Sequence, residues 1–283
     1  MPEHMRVSVA EQFIQSKTGN MQDCEDRIHI SQHYLAVIDG ASSKTNKKWD
    51  GRTGGRLAAE VTDRTFALMP ATCTAREAAD LLTSALRETY RDFGALNLVQ
   101  ADPRQRATAV LAAVSLARRE LWLIGDCQIL LGEKVLTRPN RVDEILANAR
   151  ALFLELDILA GATVDGLRRH EAGYEYITPL LQRQNLLQNN PSCGEYWYPA
   201  VDGFPIPSEG IIVETIPDEI SEIVLASDGY PVLKKTLKES EDALEAILFE
   251  DPLMFRKYKS AKGVLSGNLS FDDRAFLRVI FRG

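Results

Sequence analysis

An α+β fold built on antiparallel sheets is predicted by three observations. Strand-like and helix-like segments come in groups: strands, two helices, a strand meander, helices, then strands. Such grouping favours antiparallel sheets with segregated helices over an alternating βαβ wind. Apolar residues make up 45% of the 283 residues and charged residues 26%, enough to bury a core and too apolar for a disordered tail. No internal repeat and no low-complexity linker divides the chain, so one domain over residues 1–283 is expected.

The elements follow in chain order. Arg6 to Lys17 is strand-like, with Val7, Val9, Phe13 and Ile14 among polar neighbours. Arg27–Ile30 and Tyr34–Ile38 flank Ser31-Gln32-His33 as a hairpin, and a polar, Lys-rich loop runs from Ala41 to Arg52. Gly54-Gly55 opens a helix whose inward stripe is Ala58, Val61, Thr65 and Leu68. Thr74 with Glu77 three residues on is a capping box that starts a second helix, with Ala79, Leu82, Leu86 and Phe93 on its buried face. Asp102-Pro103 marks the exit. Thr108–Ala117, Glu120–Ile124, Gln128–Leu131 and Lys134–Leu136 form a meander. Val142–Leu159 is an amphipathic helix with Ile145, Ala149, Leu152, Leu156 and Leu159 on one side. Tyr174–Gln188 is a helix that Pro179 kinks, and Asn189–Gly210, with four prolines, is a loop. Strands at Ile211–Thr215 and Glu222–Ala226, a short helix at Asp242–Phe249 and a strand at Ala275–Phe281 complete the chain.

The net charge of −7 argues against a protein that grips nucleic acid, which needs a Lys/Arg surplus to neutralise phosphates. No stretch approaches the roughly 20 apolar residues of a membrane helix, and the first residues hold no apolar core with a small-residue cleavage site, so no secretory signal is expected. Cys24, Cys73, Cys127 and Cys193 are widely spaced, which favours free thiols in a reducing cytoplasm over a disulfide framework.

Acidic residues stand at strand ends beside glycine. Asp39-Gly40 closes Ala36-Val37-Ile38, Gly125-Asp126 closes Leu121–Ile124, and Asp228-Gly229 follows Ile223–Ser227. Asp272-Asp273 immediately precedes the final strand. One such corner is ordinary turn chemistry; four imply that strand ends gather carboxylates in one cleft. If the hairpin turn is centred between Gln32 and His33, Glu25 lies opposite Gly40 and Asp26 opposite Asp39. Like charges facing across a hairpin repel, and a cation between them removes the penalty. Oxygen ligands of this kind suit Mg²⁺ or Mn²⁺. Cys24, His29 and His33 make a poor zinc site, because Cys24 and His29 fall on opposite faces of an extended strand and structural zinc wants four ligands.

The ordered set Glu25-Asp26, Asp39-Gly40, Gly54-Gly55 with Ala58, Ala107-Thr108-Ala109, Gly125-Asp126, Ser227-Asp228-Gly229 and Asp272-Asp273-Arg274-Ala275 resembles the motifs of the metal-dependent serine/threonine protein phosphatases of type 2C. The resemblance spans nearly the whole chain, whereas the segment around 142–210 carries none of these motifs and reads as a helical and loop-rich insertion. It implies a four-layer α-β-β-α sandwich around a centre of two Mg²⁺ or Mn²⁺ ions, with room for a third. By motif position, Asp39 would bridge two ions, Glu25 and the Gly40 carbonyl would hold one, Asp228 and Asp272 the other, and Asp126 a looser third. Asp26 and Asp273 would orient these ligands from behind. A water between two divalent ions is a hydroxide-like nucleophile near neutral pH, so the implied reaction hydrolyses phosphoserine or phosphothreonine in a phosphorylated protein.

The chain departs from the family pattern. An Arg usually stands four residues before the metal-binding Glu to hold the substrate phosphate; here that position is Met21. Lys17, roughly 26 Å from Glu25 along an extended strand, is a poor substitute. Among Arg27, Arg52, Arg56 and Arg274, Arg56 beside a helix start is the best replacement. Lys44, Lys47 and Lys48 lie in a basic loop that is either solvated or steers anionic substrate. The alternative reading is a catalytically silent module that keeps the fold and binds a kinase or another partner.

Overall fold

The computed structural model describes residues 6–42, 44–45, 47–170 and 172–282. Ser43 and Asn46, in the expected Ala41–Arg52 loop, and the first five residues lie outside them.

Among the described residues, ten strands form two antiparallel sheets. The first contains β1 (Arg6–Gln15), β6 (Gln128–Leu131), β7 (Lys134–Leu136), β9 (Glu222–Ala226) and β10 (Arg274–Arg282), in the order β1-β10-β9-β6-β7. The second contains β2 (Arg27–Ile30), β3 (Tyr34–Gly40), β4 (Ala109–Ser115), β5 (Glu120–Ile124) and β8 (Ile211–Thr215), in sequence order. Hairpin β2–β3 pairs Arg27 with Ile38 and Ile30 with Leu35, the register expected from the sequence. A bulge between Val9 and Glu11 interrupts β1 against β10, and from there Ile14 faces Ala275 and Gln15 faces Arg274.

Strand alternation makes the layers. Leu35, Val37, Val114, Leu121 and Leu123 of one sheet meet Ile129, Ile223, Leu225, Leu277 and Val279 of the other in the central core. The opposite side chains of the second sheet, Tyr34, Ala36, Ile38, Leu111 and Trp122, pack under α1 (Gly54–Leu68) and α2 (Ala75–Asp92). The outer face of the first sheet, with Leu130, Val224 and Phe276, is covered by Tyr230, Leu233 and Leu237, the last opening α7 (Leu237–Glu250). The result is the expected α-β-β-α sandwich of two antiparallel sheets flanked by helices.

Capping boxes start α2 at Thr74/Glu77 and α7 at Thr236/Glu239, so α7 begins five residues before the expected Asp242. Two short helices, α3 (Leu96–Ala101) and α5 (Val164–Arg169), have too few turns to show a period. The predicted Tyr174–Gln188 helix is α6 (Ala172–Leu181), with Pro179 inside it, followed by a 3₁₀ turn at Gln184–Leu187.

Three burial expectations are corrected. In α1, Leu57, Ala58, Val61, Thr62 and Phe66 face inward, whereas Leu68 is 86% exposed. In α2, Ala79, Leu82 and Leu86 are buried but Phe93 is exposed. In α4 (Arg141–Leu159) the buried face is Leu146, Ala147, Arg150, Ala151 and Leu154, while Ile145, Leu152, Leu156 and Leu159 point out. Leucine is spread around α4, and its packing partners select the face: Leu167, Leu253 and Phe255 against Ala151 and Leu154, and Ile177 and Leu181 against Leu146.

Candidate metal centre

Antiparallel pairing carries the acidic corners to one edge of the sandwich. Within each sheet, residues after β3 and β5 lie at the same end as those before β2, and residues after β9 at the same end as those before β10, because each neighbour runs the opposite way. The short link from β5 to β6, whose Gln128 pairs with Ala226 of β9, joins the two sheets at that end. Glu25 and Asp26 precede β2, Asp39-Gly40 ends β3, Asp126 follows β5, Asp228 follows β9, and Asp272-Asp273 precedes β10.

Glycine lets the backbones meet there. A Cβ on Gly40 would sit 2.5 Å from the Gly55 carbonyl oxygen and 2.7 Å from that of Glu25, so the end of β3 presses directly on the start of α1. On Gly229 it would lie 2.1 Å from the Asp273 carbonyl oxygen, which draws Asp228 against the Asp272-Asp273 turn.

Glu25 is buried, and both its oxygens accept hydroxyl hydrogens: Oε2 from Ser42 Oγ at 2.5 Å, Oε1 from Thr53 Oγ1, the N-cap of α1. Asp273 clamps three strands' ends together. Its Oδ1 accepts the Lys17 backbone N–H at 2.8 Å, and its Oδ2 accepts the Glu25 N–H at 2.9 Å. Asp26 is buried, and its Oδ2 has no hydrogen-bond partner among the described residues.

The carboxylates strain against one another. Burial, then the charges of Asp26, Asp228, Asp272 and Asp126, pushes the Asp39 carboxyl well above its usual range. Burial and Asp228 do the same to Asp126, and burial followed by Asp272 raises Asp228. Burial raises Asp26 as well, despite a hydrogen bond from Ser227. Asp272 goes the other way: burial pushes it up, but Lys262 and Lys17 outweigh that and hold it at about 2.

Four more charged groups lie near these carboxylates: Lys17 and Lys44, which the sequence reading weighs as a remote cation and as part of a basic loop, and Lys262 and Asp143, which it does not single out. Lys17 Nζ lies 3.4 Å from Asp272 Oδ1, 3.7 Å from Asp273 Oδ2 and 3.9 Å from Glu25 Oε2, which corrects its dismissal as too remote. The separation of roughly 26 Å assumes an extended strand, but β1 ends at Gln15 and the residues from 16 to 26 turn back, while the pairing of Gln15 with Arg274 brings Lys17 close to Asp272. Lys262, from the loop between α7 and β10, pairs with Asp272 Oδ2. Asp143, in the first turn of α4, is pushed up to about 6 by burial and then by Asp228. Lys44, lowered to about 8 by burial and then by Lys262, lines a cleft of about 280 Å³ with Thr45, Arg104, Gln105 and Gln182. The contact of Lys17 with Asp272 follows from pairing the two chain-terminal strands, whereas Lys262 and Asp143 carry no local signal.

Arg56 lies outside this group. Its guanidinium bonds Glu60 at 2.9 Å and the Gln22 carbonyl, and Arg27 and Arg52 converge on the same Glu60. Arg274 pairs with Glu241 through two bonds of 2.8 Å. His29 packs on Phe66 and bonds Asp63 at 2.8 Å.

With Lys17 and Lys262 on Asp272 and two hydroxyls on Glu25, no three His, Cys, Asp or Glu side chains converge on one ion position among the described residues. The donor chemistry nevertheless fits a hard cation. Buried carboxylates held above their normal range and an unpartnered Asp26 oxygen are what divalent charge would relieve.

A family model described as protein phosphatase 2C matches residues 15–262. No curated protein sequence matches the chain. Among solved structures, the chain is similar to the Mycobacterium tuberculosis serine/threonine phosphatase PstP/Ppp, at 14% identity over 99% of both chains with a TM-score of 0.47. Serine/threonine phosphatase Stp1 from Staphylococcus aureus is 12% identical over 99% of this chain and 96% of its own, with a TM-score of 0.46. PppA of Pseudomonas aeruginosa is 11% identical over 99% of both chains, with a TM-score of 0.46. Superpositions this loose assign no residue a role.

Proposed function

The chain belongs to the protein phosphatase 2C family, and on that premise we propose that it is a Mg²⁺- or Mn²⁺-dependent phosphatase acting on phosphoserine or phosphothreonine in proteins. The observation that carries this reading is the gathering of Asp39, Asp126, Asp228 and Asp272 at one sandwich edge, where each raises or feels the charge of the others. Asp39, Glu25, the Gly40 carbonyl, Asp228 and Asp272 would hold two ions, and Asp126 would help hold a third. The bound cations supply Lewis acidity to phosphoryl oxygens and an acidified water as nucleophile.

The chain's own residues prepare that site. Asp273 fixes the Glu25 backbone and the end of β1 through its two oxygens. Ser42 and Thr53 hold the Glu25 carboxylate in one orientation. Lys44 lines a cleft with Thr45, Arg104, Gln105 and Gln182, which would offer polar groups to a phosphorylated peptide. The protein is proposed to work in the cytoplasm, where Cys24, Cys73 and Cys127, all free and buried, stay reduced. No described helix is long and apolar enough to cross a membrane.

The test is hydrolysis of a phosphothreonine peptide with Mn²⁺, with and without EDTA. Turnover is expected only with metal, and Asp39→Asn is expected to lower kcat/KM by at least about a hundredfold, the scale of losing one charge-stabilising group. Turnover that survives both chelation and Asp39→Asn would discard the mechanism.

A second reading, a catalytically silent module that binds a kinase or another partner, is favoured by one observation: Lys17 and Lys262 already neutralise Asp272. Calorimetry separates the two. Mn²⁺ binding below the millimolar range supports the phosphatase; its absence supports the silent module.

A further inference from the structure

We propose that Lys17 and Lys262 bind the phosphoryl group of the substrate, an assignment that rests on the phosphatase reading above. The four arginines weighed from the sequence for the task are engaged elsewhere. Arg27, Arg52 and Arg56 are bound to Glu60, and Arg274 to Glu241. Among the described residues, the cations in ion pairs with Glu25, Asp272 and Asp273 are Lys17 and Lys262.

Both ammonium groups are delivered by rigid structure. Lys17 lies two residues beyond the end of β1, its backbone N–H held by Asp273 and its Nζ donating to Ser42 Oγ at 3.3 Å. Lys262 sits on a loop built around the fully buried Arg150 of α4, which donates to the carbonyls of Leu253, Met254 and Ser260. The next residue, Gly263, touches that guanidinium so closely that a Cβ would lie 2.7 Å from it. The two side chains remain 21% and 29% exposed, so their charges border the open side of the cluster.

Their present partners are the carboxylates proposed to take divalent cations. Carboxylates that ligate metal would release these ammonium groups, while the Asp273 bond to the Lys17 backbone and the Arg150-centred loop keep the two lysines at the cluster. A phosphate monoester is an anion with several acceptor oxygens, and two ammonium groups match it as point charges. The segment around α4 thereby gains a role: through Arg150 it positions a phosphate ligand.

The experiment is calorimetric titration of inorganic phosphate into protein saturated with Mn²⁺, alongside KM for p-nitrophenyl phosphate. Lys17→Met and Lys262→Met are each expected to raise the phosphate Kd about tenfold or more, the loss of one charge-assisted contact, and to raise KM with a smaller change in kcat. Lys17→Arg and Lys262→Arg are expected to recover most of the affinity, and Lys238→Met, on the exposed face of α7, to change nothing. Far-UV circular dichroism identifies any variant that fails to fold, for which the arginine variant then decides: weak phosphate binding there, or an unchanged Kd in the methionine variants, overturns the assignment. Wild-type protein that binds Mn²⁺ and phosphate in this pattern yet hydrolyses nothing would sink the phosphatase reading and leave the lysine assignment standing.

Discussion

Glu60 receives three guanidinium groups, from Arg27 at 2.9 Å, Arg56 at 2.9 Å and Arg52 at 3.2 Å. Burial pushes its carboxyl up, but hydrogen bonds from Arg56, Arg52 and Arg27 outweigh that and bring it down to about 2. A depressed carboxyl stabilises the fold above the unfolded value near 4.5 and loses that contribution as pH falls towards 2. Glu60→Gln is therefore expected to cost about 1–2 kcal/mol at pH 7 after allowing for solvent screening. Urea unfolding at pH 7 and pH 3 checks it: the gap between variant and wild type should narrow at the lower pH. The same network explains why Arg56, the best phosphate ligand by sequence position, has its guanidinium committed elsewhere.

The orientation of α4 rests on one buried charge as well as on its apolar partners. Nineteen residues rich in leucine offer more than one apolar face, and the face that packs is the one carrying Arg150, whose guanidinium needs the loop carbonyls at Leu253, Met254 and Ser260. Arg150→Met would leave those carbonyls without their charged donor, at an expected cost of about 3 kcal/mol or more. Thermal unfolding measures that cost, and limited proteolysis should find cleavage between residues 253 and 263 appearing first. A variant as stable as wild type with an intact loop would remove Arg150 from this role. The neighbouring Asp143 shows the same dependence on packing: nothing in its local sequence distinguishes it from any helix N-terminal acid.

The whole sandwich carries a destabilised edge. Asp39, Asp126 and Asp228 have carboxyls raised above 3.8 by burial and mutual repulsion. A raised carboxyl keeps protons in the folded state that the unfolded chain has released, so stability falls as pH rises above the unfolded value. Metal-free Asp39→Asn is therefore expected to melt at a higher temperature than metal-free wild type, by a margin that grows from pH 5 to pH 8. Mn²⁺ should raise the wild-type Tm and raise the variant's less, because ligand binding to the native state stabilises it by mass action. Differential scanning calorimetry in EDTA and in Mn²⁺ tests both; a variant no more stable than wild type at pH 8 would contradict the repulsion argument.

Local pattern was enough for the strands from β2 to β9, for the β2–β3 register, and for the carboxylates beside glycine at strand ends, because alternation, turn chemistry and Gly-Asp corners act over a few residues. The capping box of α7 is equally local but lies ahead of the apolar run of its helix. What packing alone settled is which face of α1 and α4 is buried, and which cations meet the carboxylates. Lys17 reaches Asp272 through the pairing of the first and last strands, 255 positions apart, and Lys262 through a loop organised by a buried arginine. Charges act through space and are indifferent to distance along the chain, so a reading confined to neighbours in sequence finds the acids and misses the ammonium groups that face them.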